Sequence, residues 1–300
     1  MKEVISHIME DGWNIAVRKM ELETILQERT TPFTILQNTW RTWAADPFLF
    51  DYNENVYVFA ELYDYITRRG SIGYTKHIKD NKWSKWKIAI NEPFHMSYPY
   101  IFQYENEIYM LPETSASHEL RLYRATQFPD KWECARIIAE NVMWVDTTFF
   151  LDGNKMYAIT TDVSDESNHK DYLLQFDNEF NIVDKKMIDE KHTELSRSGG
   201  KFFYSNHVWH RVSQDCTFHY GAGLIFSKFN PSEVVDGMGQ IIIHLFPKDI
   251  ELNENKKWIG LHTYNGLEGY EVIDIERQHF NIWGVLSRVL IKIKRFKNGR

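Results

Sequence analysis

The chain has 300 residues, 43% hydrophobic and 15% aromatic, which is enough to bury one large core, and no linker rich in Pro, Gly or Ser divides it. Its net charge of −7 is uneven: residues 281–300 contain six Lys or Arg and no acid, so the rest carries 29 basic against 42 acidic side chains, a net −13. An acidic body disfavours contact with phosphates, so nucleic acid is not an expected partner.

Residues 1–14 show no apolar run of signal-peptide length, and no stretch of about 18 apolar residues indicates a membrane span. The two cysteines, Cys134 and Cys216, are too few for a disulfide scaffold and do not have metal-ligand spacing. The sequence therefore predicts a cytoplasmic protein.

Along the chain, four segments repeat one pattern at a spacing of about 50 residues, typical of β-propeller blades. Each begins with an aromatic and β-branched run, at 45–50, 97–102, 145–150 and 199–204. A turn and two further strands follow, at 56–61 and 71–75, 108–113 and 120–125, 156–161 and 172–176, and 208–213 and 224–226. Their alternation predicts antiparallel hairpins.

A fifth blade is predicted from residues 241–246, 258–263 and 270–275, with the early strand 13–17 completing it. Closing the ring with strands from both ends removes exposed sheet edges. The predicted fold is all-β: a five-bladed β-propeller over residues 1–280, followed by a short basic amphipathic C-terminal helix over residues 281–300.

Aligning the repeats brings Asp46, Tyr98, Asp146 and Gly200 to equivalent positions, where the inner strands open toward the central channel. A single Asp beside a strand is usually a turn residue. Two carboxylates in one funnel would instead shift each other's pKa and could supply a base and a proton reservoir. Asp46 and Asp146 are therefore predicted catalytic residues, and Tyr98 is predicted to contact the substrate.

Glu113 ends the second strand of its blade, against Pro112 and before a polar cluster at 114–117. Such surroundings give a carboxyl group the raised pKa that a general acid requires. The alternative is a surface Glu at a strand end, and that interpretation is favoured for Glu61, which has the matching place one blade earlier.

The fourth blade contributes Arg197, Arg211, Gln214 and Asp215. Arginine binds carboxylate or phosphate through a planar fork, and Gln and Asp suit sugar hydroxyls, so all four are predicted substrate-binding residues. Alternatively, Arg211 and Asp215 form a structural ion pair between strands. His262 is predicted to line the pocket, and because no histidine has metal-ligand spacing, no metal or cofactor is expected.

Several segments, taken in order, resemble one family. They are residues 43–48, 98–100, 111–114, 145–150, 211 with 214–216 and 220–221, and 260–264 with 272–274. The chain, over roughly residues 35–280, resembles the propeller domain found N-terminal in plant glucosamine inositolphosphorylceramide transferases. The same domain type in bacteria accompanies sugar formyltransferase-like modules.

That domain is similar in turn to the five-bladed propellers of arabinanases, xylosidases and invertases. The resemblance implies that Asp46 acts as base or nucleophile and that Asp146 tunes pKa and orientation. The acid does not carry over, because those hydrolases place it after the third blade or at the opening of the fourth, where this chain has Arg197 and glycines. Glu194 lies nearby in the sequence, but Glu113 has the more confined setting.

Two functions follow. The first is a carbohydrate-active enzyme that cleaves or transfers a glycosyl unit in glycan or glycolipid metabolism, through Asp46 with Glu113 as proton donor. The second is a non-catalytic module, accessory to a glycosyltransferase or formyltransferase, that binds a glycan, sugar nucleotide or glycolipid. Retention of both Asp residues favours the first, and the absence of a matching acid favours the second.

The tail combines apolar residues at helical spacing with the basic residues noted above. The apolar residues are Ile282, Trp283, Val285, Leu286, Val289, Leu290, Ile293 and Phe296. Such a helix either lies on the anionic inner face of the membrane, which suits work on lipid-linked glycans, or docks on its own propeller.

Overall fold

A computed structural model describes residues 9–20, 24–27, 30–80, 82–188, 195–205, 207–230, 239–267 and 269–298. Its strands form five antiparallel sheets that are the blades of a propeller, as predicted. Strands β1 (Met9–Arg18) and β2 (Thr34–Ile35) begin the described chain and belong to the fifth blade.

The first two blades run outward from an inner strand that lines the central channel. Blade one contains β3 (Thr42–Tyr52), β4 (Asn55–Asp64), β5 (Arg69–Lys79) and the short outer strands β6 (Lys82–Trp83) and β7 (Lys87–Ile90). Blade two contains β8 (Ser97–Tyr104), β9 (Glu107–Glu113), β10 (Glu119–Gln127) and β11 (Lys131–Glu140).

The third and fourth blades follow the same plan. Blade three contains β12 (Trp144–Asp152), β13 (Lys155–Asp162), β14 (Lys170–Phe176) and β15 (Ile182–Met187). Blade four contains β16 (Phe203–Ser205), β17 (Val208–Asp215), β18 (Gly223–Phe229) and β19 (Ile241–Leu245). The strands predicted for the four repeats are confirmed, except that the inner strand of the fourth repeat, predicted at 199–204, is limited to Phe203–Ser205.

The fifth blade closes the ring with strands from both ends of the chain, as predicted. From the channel outward it contains β20 (Tyr264–Leu267), β21 (Tyr270–Phe280), β1 and β2. Strands β1 and β21 pair in unbroken antiparallel register from Met9 opposite Phe280 to Arg18 opposite Glu271. This pairing covers the two strand edges that an open ring would expose.

Two strands predicted for the fifth blade are wrong. Residues 241–246 contribute β19, the half-exposed outer strand of blade four. Residues 258–263 form no strand beyond a single bridge between Gly260 and Glu276. Part of the reason is that the Asp274 carboxylate takes the backbone N–H groups of His262 and Thr263, which a β-ladder would otherwise use.

Hydrophobic side chains fill the space between neighbouring blades. The largest cluster joins blades one to three and buries Phe48, Phe59 and Tyr123. Burial of one such aromatic side chain contributes about 2–3 kcal/mol, so this packing holds the inner strands, and the residues that open them, in place.

The chain ends in the predicted helix, α1 (Ile282–Asn298), which Asn281 caps by accepting backbone hydrogen bonds from Trp283 and Gly284 at 2.9 and 3.1 Å. Short 3₁₀ turns lie at Thr24–Leu26, Ser115–Ser117 and Pro247–Asp249. In the described part of the chain, no helix has the length and apolar content needed to span a membrane.

Candidate functional site

The inner strands of the first three blades share a backbone irregularity where the repeats align. Asp46, Tyr98 and Asp146 have positive φ angles of 51°, 43° and 50°, and each lies in a β-bulge that opposes two residues to one on the next strand. A left-handed conformation costs a non-glycine residue about 1–2 kcal/mol. Its recurrence in three blades indicates that the bulges direct these side chains into the channel.

In blade four the equivalent residue is Gly200, with a φ of 147°. A Cβ at this position would lie well under 3.0 Å from the backbone oxygen of Tyr264 in the fifth blade. Only glycine therefore allows this close approach of two neighbouring blades.

The Asp46 carboxylate is buried and held by three donors. Oδ2 accepts a 3.1 Å hydrogen bond from the backbone N–H of Tyr98, and Oδ1 accepts one of 3.0 Å from the Thr263 hydroxyl. Nε2 of His262 lies 3.3 Å from Oδ1. Burial raises the pKa of Asp46, and the His262 charge opposes this rise. The carboxylate is thus fixed in position beside a cation.

Asp274 orders the fifth-blade side of the site. Its Oδ1 accepts the N–H groups of His262 and Thr263 at 3.0 and 2.9 Å, and its Oδ2 accepts the N–H of Asp46 at 3.0 Å. Oδ2 also lies 2.7 Å from Nδ1 of His262. Burial lowers the pKa of His262, but Asp274 and Asp46 outweigh it and raise the pKa to about 9.

Asp46, His262 and Asp274 are spaced like metal ligands, with donor atoms within 4.8 Å of one another. In this structure both ring nitrogens of His262 face carboxylate oxygens, and as the imidazolium the ring donates to Asp46 and Asp274. The ring also packs on Trp13, with centroids 4.0 Å apart. The expectation that no metal is needed stays a prediction.

Asp146 occupies the opposite side of the cluster, on blade three. Nε and Nη2 of Arg197 both lie 2.7 Å from its Oδ2, and Gln214 donates to the same oxygen at 3.1 Å. Burial raises the pKa of Asp146 to about 6, although Arg197 opposes the rise. The guanidinium carbon of Arg197 lies 5.1 Å from the ring centroid of the half-exposed Tyr220.

Glu113, which ends β9, is half-buried beside these groups and accepts a 2.8 Å hydrogen bond from the Ser115 hydroxyl. Burial raises its pKa, while Arg197 and the Ser115 bond oppose the rise. Glu113 is thus coupled to both Asp46 and Arg197. Glu194, the other acid considered, lies outside the described residues.

Glu61 is a fifth carboxyl group at the site, and its expected surface position is wrong, since the residue is only 5% exposed. Burial raises its pKa well above the usual range, and the charges of Asp46 and Glu113 add to the rise. The glycine at position 70 leaves room for the Glu61 side chain, because a Cβ at this position would collide with it.

Arg211 and Asp215 do not join the cluster. Arg211 is buried and donates to the backbone oxygens of Leu195 and Ser196, and Asp215 lies 3.5 Å from Nδ1 of His244 on the outer strand. The ion pair between Arg211 and Asp215 does not form, because four residues along one strand separate them by about 13 Å. Their predicted contact with substrate gains no support from this placement.

Tyr98 is fully buried, and its hydroxyl bonds Thr148 at 2.8 Å and the backbone N–H of Gly200 at 2.9 Å. Its ring therefore spans the channel from blade two toward blades three and four. This placement makes Tyr98 the floor of the cluster rather than an open contact surface.

Sequence reasoning left three contributors unassigned: Asp274, Thr263 and Trp13. A signal existed for Asp274, because it is an acid within the apolar run Val272, Ile273 and Ile275 of β21. Thr263 and Trp13 carry no such signal, since the role of Thr263 depends on its hydrogen bond to Asp46 of blade one and that of Trp13 on the pairing of β1 with β21.

The profile of the family described as "Glucosamine inositolphosphorylceramide transferase 1, N-terminal" matches residues 34–267. Among curated proteins, glucosamine inositolphosphorylceramide transferase 1 of Oryza sativa subsp. indica is 28% identical over 250 residues, covering 80% of this chain and 32% of that protein. The protein of the same name from Arabidopsis thaliana is 33% identical over 192 residues, covering 61% and 25%. The chain thus spans about a third or less of these relatives.

Solved structures with similar folds are carbohydrate-active propellers. The catalytic domain of a Coprinopsis cinerea alpha-L-arabinofuranosidase has a TM-score of 0.56 at 10% identity, covering 78% of this chain and 90% of that domain. A Bacteroides thetaiotaomicron endo-1,4-beta-xylanase has a TM-score of 0.53 at 14% identity, with 76% and 81% covered. At these identities the likeness shows the fold alone.

Proposed function

Because the chain belongs to the family described as glucosamine inositolphosphorylceramide transferase 1, N-terminal, and has a glycoside hydrolase-like propeller fold, we propose that its funnel is a carbohydrate-active site that cleaves or transfers a glycosyl unit. The observation that carries the proposal is the convergence of Asp46, Glu61, Glu113 and Asp146 with Arg197 and His262 at one end of the channel.

The carboxyl groups differ in ways that suit two chemical roles. Burial raises the pKa of Asp46, but the His262 cation, 3.3 Å away, favours the ionised form that a base or nucleophile requires. Glu113 retains its proton to higher pH than an exposed glutamate and is half-buried at the cluster, as a proton donor requires.

In the proposed reaction Glu113 gives its proton to the glycosidic oxygen as the bond to the anomeric carbon breaks. Asp46 either bonds that carbon or takes a proton from the water or hydroxyl that attacks it. Asp146, fixed by Arg197 and Gln214, orients the substrate and adds negative charge near the developing oxocarbenium ion.

A second candidate function rests on Arg197. Its side chain is 19% exposed and lies over Tyr220, so the cluster presents a cation and an aromatic ring to an incoming ligand. These groups suit an anionic sugar or a sugar nucleotide, which a non-catalytic binding module would hold.

The test combines turnover with binding, using aryl glycosides, oligosaccharides and nucleotide sugars. For a processed substrate, Asp46→Asn should lower kcat by at least about 100-fold while ligand affinity changes little, because charge is removed at nearly constant shape. Glu113→Gln should slow poor leaving groups most. Asp165→Asn, in an exposed turn, is the matched control and should be unchanged.

Wild-type rates in both Asp46→Asn and Glu113→Gln would overturn the assigned roles. If a sugar binds, no compound in the set is turned over, and Arg197→Met abolishes the binding, the result would support the non-catalytic binding module instead of the enzyme.

A further inference from the structure

Helix α1 docks on the propeller through a face of small and polar residues. Gly284 and Ser287 are its buried positions, and Arg288 lies 2.9 Å from Oε1 of Glu10 on β1. Arg68, in the turn between β4 and β5, donates to the Ser287 hydroxyl at 3.3 Å. A Cβ at Gly284 would collide with the Glu10 side chain, so glycine permits the close contact between α1 and β1.

The opposite face of α1 is an apolar stripe exposed to solvent. It consists of Ile282, Leu286, Val289, Leu290 and Ile293, which are 49%, 43%, 48%, 55% and 46% exposed. Their spacing places them along one side of the helix. A docked amphipathic helix normally buries its apolar side against the protein, so the reversed orientation leaves this stripe for another partner.

Charge distinguishes which partner fits. Residues 281–300 carry six basic side chains and no acid, whereas the rest of the chain is net −13. An apolar stripe within a basic segment matches a surface that is apolar inside and negatively charged outside, which is an anionic bilayer. Trp40 adds an aromatic anchor: it is 65% exposed and packs on Trp283 with ring centroids 4.8 Å apart.

The helix lies at the end of the propeller that carries the carboxyl cluster. Strand β21 passes Asp274, at the cluster, and continues to Phe280, immediately before α1. On blade one, Asp46 lies near the start of β3, whose first residue, Thr42, pairs with Asp64 just before the Arg68 turn. The Arg68 turn therefore lies beyond the cluster on the same side as α1.

We propose that α1 lies flat in the surface of an anionic lipid bilayer and turns the mouth of the funnel toward it. Resting on the function proposed above, this orientation makes the glycosyl substrate one that is carried by a lipid. Each basic side chain near such a surface strengthens binding by about fivefold, and the apolar stripe adds to this through burial.

The test is flotation with phosphatidylcholine vesicles that contain or lack 30% phosphatidylserine. The wild-type chain should float only with the anionic vesicles, and less at 0.5 M than at 0.1 M NaCl because salt screens the attraction. Combined Leu286→Glu, Val289→Glu and Leu290→Glu should reduce binding at least tenfold. The matched control is Ile78→Glu, Leu151→Glu and Val183→Glu, three exposed apolar positions on the blades, and should bind as wild type.

Orientation is measured with an environment-sensitive dye on single cysteines, introduced after Cys134→Ser and Cys216→Ser. A dye at Leu290→Cys should shift to the blue on anionic vesicles, whereas one at Leu151→Cys, at the far end of β12, should not. Equal shifts at both positions would overturn the proposed orientation. Unchanged circular dichroism and melting temperature establish that the variants fold.

Flotation and turnover fail independently, which separates this inference from the proposed function. Asp46→Asn should still float, because the funnel carboxylate does not contribute to the apolar stripe. Equal binding of the wild type and the helix variant, or no binding to any vesicle, would overturn the membrane proposal and leave the proposed glycosyl reaction unaffected. A concentration-dependent dimer that the helix variant abolishes, in the absence of vesicle binding, would assign the stripe to a second copy of the chain.

Discussion

The hydroxyl of Tyr98 on blade two accepts a 2.9 Å hydrogen bond from the backbone N–H of Gly200 on blade four, across the central channel. The same hydroxyl bonds Thr148 on blade three at 2.8 Å. One side chain thus joins three blades beneath the carboxyl cluster and fixes the distances between strands that carry Asp46 and Asp146.

Tyr98→Phe is expected to lower the free energy of unfolding by about 1–3 kcal/mol, because it leaves the buried Gly200 N–H and the Thr148 hydroxyl without this partner. Tyr100→Phe is the matched variant: its hydroxyl donates to one backbone oxygen, that of Phe149, at 2.8 Å. Urea denaturation of both variants provides the measurement. An equal or smaller cost for Tyr98→Phe would contradict the bridging role.

Gly200→Ala is expected to prevent folding or to cost more than about 4 kcal/mol, because the new Cβ would press into the Tyr264 backbone at a positive φ. Gly153→Ala is the control that separates the steric contact of the new Cβ from the cost of the backbone conformation. It also has a positive φ, 58°, but nothing lies within 4 Å of its Cβ, so its cost should be only about 1 kcal/mol. Comparable soluble yields and melting temperatures for the two variants would refute the close approach of blades four and five.

Arg197 and Asp146 should behave as a coupled pair in a double-mutant cycle with Arg197→Met and Asp146→Asn. Removing the arginine leaves a buried carboxylate with less compensation, so the single change should cost about 3 kcal/mol, with coupling of about 1–3 kcal/mol. The exposed pair Arg41 and Asp64, 2.6 Å apart, is the control and should couple by less than about 1 kcal/mol. Similar coupling energies in the two pairs would contradict the prediction that burial strengthens the interaction between Arg197 and Asp146.

Stability should fall as pH rises from 6.5 to 8, because the pKa of His262 is raised from 6.5 to about 9 in the folded chain. The folded state then holds a proton that the unfolded state releases, a loss of about 1.5 kcal/mol across this window. Asp146, with its pKa raised from 3.8 to about 6, gives a decline of the same sign at lower pH. Lys201, whose pKa burial lowers to about 8, acts in the opposite direction above pH 8.

His262→Gln should reduce the decline between pH 6.5 and 8, leaving the part that comes from buried carboxyl groups with a raised pKa such as Glu61, and His169→Gln, at an exposed position, should leave the decline intact. The measurement is the free energy of unfolding from urea titrations at half-unit pH steps. A slope in His262→Gln as steep as in the wild type would assign the linkage to another group.

The repeat pattern was sufficient to predict the ring and the equivalence of Asp46, Tyr98, Asp146 and Gly200, because the first three blades repeat the same bulge at the same place and all four residues have a positive φ. It did not predict the inner strand of blade five, since there a buried carboxylate replaces part of the strand pairing. The repeat pattern also did not predict the burial of Glu61, because the space for that side chain comes from Gly70 on a neighbouring strand.

The tail shows a similar limit. Helical periodicity predicted α1 and its two faces, but it did not show that the polar face is the docked one. That choice depends on Glu10 and Arg68, which strand pairing brings to the helix from distant parts of the sequence.

The pairing of β1 with β21 also sets an order for biosynthesis. Met9 meets Phe280, so β1 leaves the ribosome more than 250 residues before its partner on the inner side. Before β20 and β21 are synthesised, blade five lacks its two inner strands. Blades one and four then have no complete blade between them. Ring closure is therefore a late, long-range step, and a nascent chain stalled before β21 presents an open sheet edge for chaperones to shield.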